Sequence, residues 1–419
     1  MMNGKQLQIF FDFLRFCIGS AKEIPGSLKE VDWKELYAIA KKQCLVGVLF
    51  DGIKKLPAEY VGMKKELLLQ WMAESQMLEK ANVRLNDTAI QVSEWFRKKG
   101  FRTCILKGQG NALMYPNPYS RTPGDIDIWV EGGDKRVISF VRSISPHEKA
   151  CYHHIEFPSY KGVEVEVHYR PSFLLCFWHN RKLQKYYERV KEEQFSHRVM
   201  LGEHGEVAIP TVEFNLIFQL THIYAHLMNE GIGLRQLLDY YFVVCDFYKV
   251  YQNSSNPSVS LSKGSSTFSP SPSSSGNGDV TALRCSEPFR YKVGGPSKVS
   301  PDCAGWDRLG VVQKELKELG LWKFAGAIMY IMQEVFGMPA SRLIVPPNEK
   351  YGKFVLNEVL EAGNFGKHDE RNRFGRSKLG HNLQRGYRDM RLVRYFPAEA
   401  MSEPFFRVWH FFWRLKHRG

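Results

Sequence analysis

Apolar residues recur at helical spacing through the first hundred positions. Leu36, Ile39 and Ala40 share one face, and a run with few breakers extends from Met63 to Phe96, so residues 5–99 read as helical throughout. Gly100 ends that run and Phe101 to Leu106 turns to strand composition. The spacing then predicts a short helix over 111–115, a buried strand around Ile126, Ile128, Trp129 and Val130, and a helix over 133–142. Residues 151–157 and 163–169 follow as a hairpin turning at Ser159-Tyr160-Lys161-Gly162. Strand, helix, strand, helix, strand, strand is the order of an α+β unit. Beyond it, Thr211 is a plausible N-cap, with Glu213 in the first turn, for a helix to about Met228; another helix follows from Leu234 to Lys249.

The pattern breaks at residues 253–278, of which 12 are serine. Such a segment cannot bury enough apolar surface to repay its ordering entropy, so disorder is expected there, continuing past Gly294-Gly295-Pro296. Helical spacing returns from Trp306 to about Phe336. The expected fold class is therefore α+β: a small mixed β-sheet with helices on one face, flanked by N-terminal and C-terminal helical regions. The expected organisation is an N-terminal helical region (1–99), an α+β core (100–200) and a helical domain (205–250 and 305–345) interrupted by a disordered insertion (252–304). A basic, aromatic C-terminal region (346–419) completes it.

Composition narrows the class. At 419 residues the chain can bury a real core, and its 44% hydrophobic and 24% charged content is that of an ordinary globular protein. Its eight cysteines form no Cys-x-x-Cys pair and several lie in apolar runs, which reads as free thiols in a reducing compartment. No uncharged run is long enough to span a bilayer, and the apolar N-terminus carries Asp12 and Arg15 without a basic lead, so a cytoplasmic address is expected, peripheral to a membrane at most. The net charge is +14, and residues 367–419 hold 13 Lys or Arg against 5 Asp or Glu. A basic surface suits nucleic acid, an anionic membrane or nucleotide phosphates; charge alone does not choose.

The chemistry concentrates in residues 104–130, CILKGQGNALMYPNPYSRTPGDIDIWV. Residues two apart on an extended segment project from one face, so Asp125 and Asp127 lie side by side, roughly 6–7 Å apart at the backbone. Two such carboxylates repel unless a cation lies between them, and hard oxygen ligands favour Mg²⁺ or Mn²⁺. A third carboxylate comes from Val163-Glu-Val-Glu-Val-His168, where Glu164, Glu166 and His168 share one face; the spacing to His168 favours Glu166 over Glu164. Lys107-Gly108, where a strand opens into a helix, offers an ammonium and backbone N–H groups to an anion. Arg121, four residues before Asp125, can steady a carboxylate or a phosphate.

Leu106-Lys107-Gly108, Arg121, Gly124-Asp125-Ile126-Asp127 and Glu166-Val167-His168 together resemble the polymerase-β-like nucleotidyltransferase superfamily, and most of all its bacterial branch usually called uncharacterised nucleotidyltransferase. The likeness extends to His154, His222, His226, Arg235 and Asp239, and covers about residues 30–250. One position departs from the pattern: Gly108 is followed by Gln109 rather than by serine or glycine. The resemblance implies transfer of a nucleoside monophosphate from a nucleoside triphosphate, ATP first among them, to an unidentified acceptor hydroxyl, releasing pyrophosphate. It further implies two Mg²⁺ or Mn²⁺ ions on Asp125, Asp127 and Glu166. Lys107, Gly108, Arg121 and Gly124 would then face the nucleotide, and His154, His168, His222, His226, Arg235 and Asp239 would line or support the cleft. The competing expectation is a nucleotide- or nucleic-acid-binding protein on the same fold without turnover.

His222 and His226 lie four apart on one helix, a spacing that also suits zinc, but no third ligand stands at an obvious distance. The tail Phe405 to Arg418 is aromatic and basic. It suits an interfacial membrane helix, a nucleic-acid arm or a terminal helix packed on the rest of the chain.

Overall fold

The alternating segments build a four-stranded sheet at the centre of the computed structural model, which describes residues 4–203, 205–255, 308–367, 369, 371 and 378–417. Four helices precede it: α1 (Gly4–Ile18), α2 (Trp33–Lys42), α3 (Val46–Ile53) and α4 (Lys65–Lys98). Asp32 starts α2 by accepting from the backbone N–H groups of Lys34 and Glu35. Gly100 stops α4 at φ +82°, and Phe101 N–H reaches back to the Phe96 carbonyl at 3.1 Å, a reversal that favours glycine.

The core then runs β1 (Thr103–Ile105), α5 (Gln109–Ala112), β2 (Ile126–Val130), α6 (Gly133–Ile144), β3 (His154–Tyr160) and β4 (Val163–His168). The strand order is β1-β2-β4-β3, with β2 and β4 parallel and the outer pairs antiparallel, so the sheet is mixed as expected. The turn between β3 and β4 needs only Lys161 and Gly162, both at positive φ (+53° and +75°); Ser159 and Tyr160, expected in the turn, continue β3. The short helix starts at Gln109 rather than 111, launched directly from Gly108, and Pro116 and Pro118 prevent its extension to 115.

Alternation sorts the sheet's two faces. Ile126, Ile128 and Val130 of β2 join Val163, Val165 and Val167 of β4 in one apolar cluster with Val92 and Phe96 of α4 and Val137, Ile138 and Val141 of α6. The opposite face carries Asp127, Trp129, Glu166 and His168. There Trp129 packs on Phe195 of α7 (Phe177–Ser196) at 4.6 Å and on Phe214 of α8 (Val212–Asn229) at 5.9 Å between ring centres. Helices thus cover both faces rather than one. The second layer is not foreseen because the apolar positions of α7 are interrupted by many charges, which hides its helical period.

A small hairpin, β5 (Arg198–Leu201) with β6 (Gly205–Ala208), separates α7 from α8. Thr211 stands at the N-terminus of α8, but its hydroxyl donates to Gln194 Oε1 at 3.2 Å instead of capping the helix. α9 (Leu234–Ser255) outlasts the expected Lys249 by six residues; the serine-rich insertion from residue 256 to 304 lies outside the described residues. The run from Trp306 to Phe336 is two helices, α10 (Arg308–Glu318) and α11 (Trp322–Glu334), divided at Gly320 with φ +70°. α12 (Glu349–Ala362), α13 (Lys378–Val393) and α14 (Pro397–Lys416) follow. The six cysteines among the described residues are free thiols, and no described helix is long and apolar enough to cross a membrane.

Candidate active site

Parallel pairing sets Asp127 of β2 directly against Glu166 of β4, and Asp125 stands just before β2. Asp125, Asp127 and Glu166 each offer an oxygen within 4.8 Å of the other two. Glu164, two residues earlier on β4, is exposed and outside this group. Three carboxylates so close, with Asp127 buried and the other two half-buried, form an all-oxygen donor set that fits a hard divalent cation.

Cations and imidazoles surround the group. Lys107 Nζ lies 2.9 Å from Asp127 Oδ1 and 3.1 Å from His222 Nε2. His168 Nε2 is 3.0 Å from Asp127 Oδ1 and 3.3 Å from Glu166 Oε2, and His154 Nδ1 approaches the same Glu166 oxygen at 3.3 Å. The electrostatics follow from these contacts. The charge of Asp127 and then burial raise Asp125 to about 6. Burial opposes ionisation of Asp127, but Lys107 and the His168 contact outweigh it and hold its carboxyl well below the usual range. Burial likewise works against the charged forms of Lys107 and His168, yet the carboxylates prevail: Lys107 is shifted up, and His168 is raised to about 9. Burial pushes His222 well below its ordinary value, with Lys107 adding to the effect, so His222 is neutral and accepts from the ammonium.

The segment that delivers Asp125 is held at its backbone. Asn82 of α4 donates to the Tyr119 and Arg121 carbonyls, both at 2.8 Å, and Arg235 of α9 donates to the Thr122 carbonyl at 3.1 Å. The Arg121 guanidinium grips both Asp239 oxygens at 2.8 Å, and Tyr115 OH donates to Asp239 Oδ1 at 2.6 Å. Arg121 borders the cleft, but its charge is committed to Asp239 inside the protein. Its guanidinium is turned onto Asp239 at the base of the segment that leads to Asp125. Asp239 and Arg235 belong to the same buried network, through the Arg121 guanidinium and the Thr122 carbonyl. Gly124 lines the cleft beside Asp125. His226, at the next turn from His222, packs against its ring at 4.3 Å between centres and pairs with Glu230 at 3.4 Å rather than with a metal-binding set.

Gly108 adopts φ +59°, a conformation that favours glycine, where β1 gives way to α5. Gln109, the residue that departs from the family pattern, is buried and turned onto α4, donating to Asn86 Oδ1. Its side chain therefore does not line the cleft beside Lys107 and Gly108.

Three amides line the cleft without standing out in the sequence, Asn111, Gln219 and Gln236, and His153 lies behind His154. Gln219 donates to Asn215 Oδ1 at 3.1 Å and Asn215 donates to Asn111 Oδ1 at 3.2 Å, which leaves Asn111 Nδ2 buried without a partner among the described residues. Gln236 Oε1 accepts from Gly233 N–H at 3.0 Å, leaving Nε2 in the same condition. Two buried amide donors lining one cleft with a carboxylate cluster are suited to a polar ligand. A signal for part of this existed: Asn215, Gln219, His222 and His226 form a helical-period polar stripe on an otherwise apolar helix. A larger cavity of about 580 Å³ lies elsewhere, near Ser20, Tyr241 and Tyr248, and is lined by Arg342 but no carboxylate.

Residues 29–250, more than half of the chain, match the family described as "Uncharacterised nucleotidyltransferase", and the chain belongs to that family. The class of the protein is thereby a nucleotidyltransferase. No curated protein and no solved structure matches it.

Proposed function

We propose that the chain transfers a nucleoside monophosphate from a nucleoside triphosphate, with ATP the first candidate, to an acceptor hydroxyl in the manner of polymerase-β-like enzymes. The observation that carries this reading is the convergence of Asp125, Asp127 and Glu166 beside Lys107 in a member of a nucleotidyltransferase family. Two Mg²⁺ or Mn²⁺ ions held by these three carboxylates would neutralise the triphosphate and ease ionisation of the acceptor hydroxyl. The acceptor oxygen bonds to the α-phosphorus as the bond from that phosphorus to the α,β-bridging oxygen breaks. The hydroxyl proton leaves to solvent and pyrophosphate departs. Lys107, freed from Asp127, and the Gly108 turn meet the β- and γ-phosphates as charge builds on the leaving group. The Asn111 and Gln236 amides supply donors to the nucleotide's polar edge. The rest is positioning by the buried Arg121–Asp239 pair.

Mg²⁺ with ATP should raise the melting temperature by linkage, and pyrophosphate should appear when a suitable acceptor from a cell extract is added. Asp125→Asn with Asp127→Asn should abolish both responses while the protein stays folded. Equal ligand-induced shifts in the wild type and the double variant would overturn the assignment. Stabilisation without pyrophosphate release from any triphosphate would identify a binding protein without turnover.

A further inference from the structure

We infer that the Glu166 end of the site is a distinct metal site for a first-row divalent transition-metal ion, with His154 Nδ1, Glu166 Oε2 and His168 Nε2 as ligands. It shares Glu166 with the proposed reaction but requires neither triphosphate nor turnover.

The strands assemble this set locally. His154 of β3 is the antiparallel partner of His168 on β4, and Glu166 stands two residues before His168 on the same face. One atom from each of the three lies within 4.8 Å of the others, and the two nitrogens are each 3.3 Å from Glu166 Oε2. Ligand atoms about 2.1 Å from one ion, at angles of about 90–109°, stand roughly 3.0–3.4 Å apart. Both separations to Glu166 Oε2 fall in that range, and the two nitrogens lie within 4.8 Å of each other.

The orientation of His168 points the same way. Its Nδ1 lies 3.3 Å from the Arg170 carbonyl oxygen, which can only accept, so Nδ1 carries a proton and Nε2 is the nitrogen turned inward. That nitrogen faces two carboxylate oxygens, Asp127 Oδ1 at 3.0 Å and Glu166 Oε2 at 3.3 Å. An imidazole anchored through one N–H to a backbone carbonyl, with its other nitrogen among carboxylates, is the arrangement that fixes metal-binding histidines. His154 Nδ1 also lies 3.1 Å from His153 Nε2, a contact that metal binding at Nδ1 replaces, and His153 Nδ1 is 3.5 Å from Cys151 Sγ.

Donor chemistry separates this end from its neighbour. Two imidazoles and a carboxylate favour Mn²⁺, Fe²⁺, Co²⁺ or Zn²⁺, whereas Asp125 and Asp127 offer oxygen alone and suit Mg²⁺ bound with a triphosphate. The two ends meet at Asp127 and Glu166.

The test uses the full untagged chain without nucleotide. After stripping and reloading with Co²⁺, then dialysis against millimolar Mg²⁺, one equivalent of Co²⁺ should remain, with a visible absorption band of imidazole-ligated cobalt. His154→Gln, at a half-buried position, should weaken retention about tenfold or more and alter the band, as should His168→Gln. Glu164→Gln should match the wild type. Asp125→Asn should keep the cobalt yet lose stabilisation by Mg²⁺ and ATP, so failure of this site and failure of the proposed function give different results. Release of all cobalt into millimolar Mg²⁺, or unchanged retention and spectrum in folded His154→Gln, would overturn the inference and leave a proton on His168 Nε2 between the two carboxylates.

Discussion

Asp127 and Glu166 share one register position on adjacent parallel strands, while Glu164 falls on the exposed end of the same face. This separates two residues that composition treats alike. Glu166→Gln keeps the size but removes a charge from the carboxylate cluster, so under the proposed function turnover should fall about 10²-fold or more while ATP binding survives through Asp127 and Lys107. Glu164→Gln should change turnover little; the reverse order of effects in a pyrophosphate-release assay would shift the third carboxylate to Glu164. A second residue-scale expectation concerns support rather than chemistry. Asp239 is buried with Arg121 and accepts three hydrogen bonds, so Asp239→Asn leaves a buried guanidinium without its counter-charge. The loss should be about 3–5 kcal/mol in urea unfolding; a loss below about 1 kcal/mol would show that the pair is not what fixes the Asp125 segment. The contrast between these residues explains what could be read beforehand. Asp125, Asp127, Glu166 and Lys107-Gly108 lie within short periodic segments, where spacing alone orients side chains. Arg121 and Asp239 are 118 residues apart, and nothing local says that the arginine's charge is already matched.

Elements were legible where their periodicity was clean. β4 alternates strictly and α4 runs without a breaker, so both were evident; α7 interleaves its buried Leu183, Tyr186 and Tyr187 with lysines, arginines and glutamates, which hides its face. Its N-terminus is hidden for another reason, because the group that receives its backbone donors comes from α14. Glu399 Oε2 accepts from Leu175 N–H at 2.6 Å and from Cys176 N–H at 3.0 Å, more than two hundred residues away in sequence. The same helix docks Phe406 and Trp409 against Tyr152 and accepts from Tyr152 N–H at His410 Nε2, while Phe405 and Phe412 stay 78% and 63% exposed. Of the three readings of the aromatic tail, the packed terminal helix describes this inner face. Glu399→Ala removes a buried acceptor from two donors and should destabilise the protein by about 1.5–3 kcal/mol, the range for hydrogen bonds to a charged group. Phe405→Ser on the outer face serves as the comparison and should leave the melting temperature nearly unchanged. Equal effects of the two substitutions would mean that α14 does not hold the start of α7.

At the scale of the molecule, the family match ends at residue 250, but the packing does not. Tyr224 of α8 stacks on Phe324 of α11 at 4.3 Å, Tyr241 of α9 meets Phe336 at 5.5 Å, and Phe324, Ile328, Met329 and Ile331 are all at most 1% exposed. One apolar cluster includes α1, α3, α8, α9, α11 and α12 together. Removing α10–α14 therefore strips the outer faces of α8 and α9, the helices that carry His222, Arg235 and Asp239 to the site. Each large side chain so exposed forfeits roughly 1.5–3 kcal/mol of burial, and several are lost at once, against a total stability of about 5–15 kcal/mol. A fragment ending at residue 255 should thus bind a hydrophobic dye, melt without a cooperative transition and show no stabilisation by Mg²⁺ and ATP, although it contains every carboxylate of the proposed site. A cooperative melt that shifts upward with Mg²⁺ and ATP would instead establish that the matched region folds and binds by itself, with the C-terminal helices an addition to a self-sufficient unit.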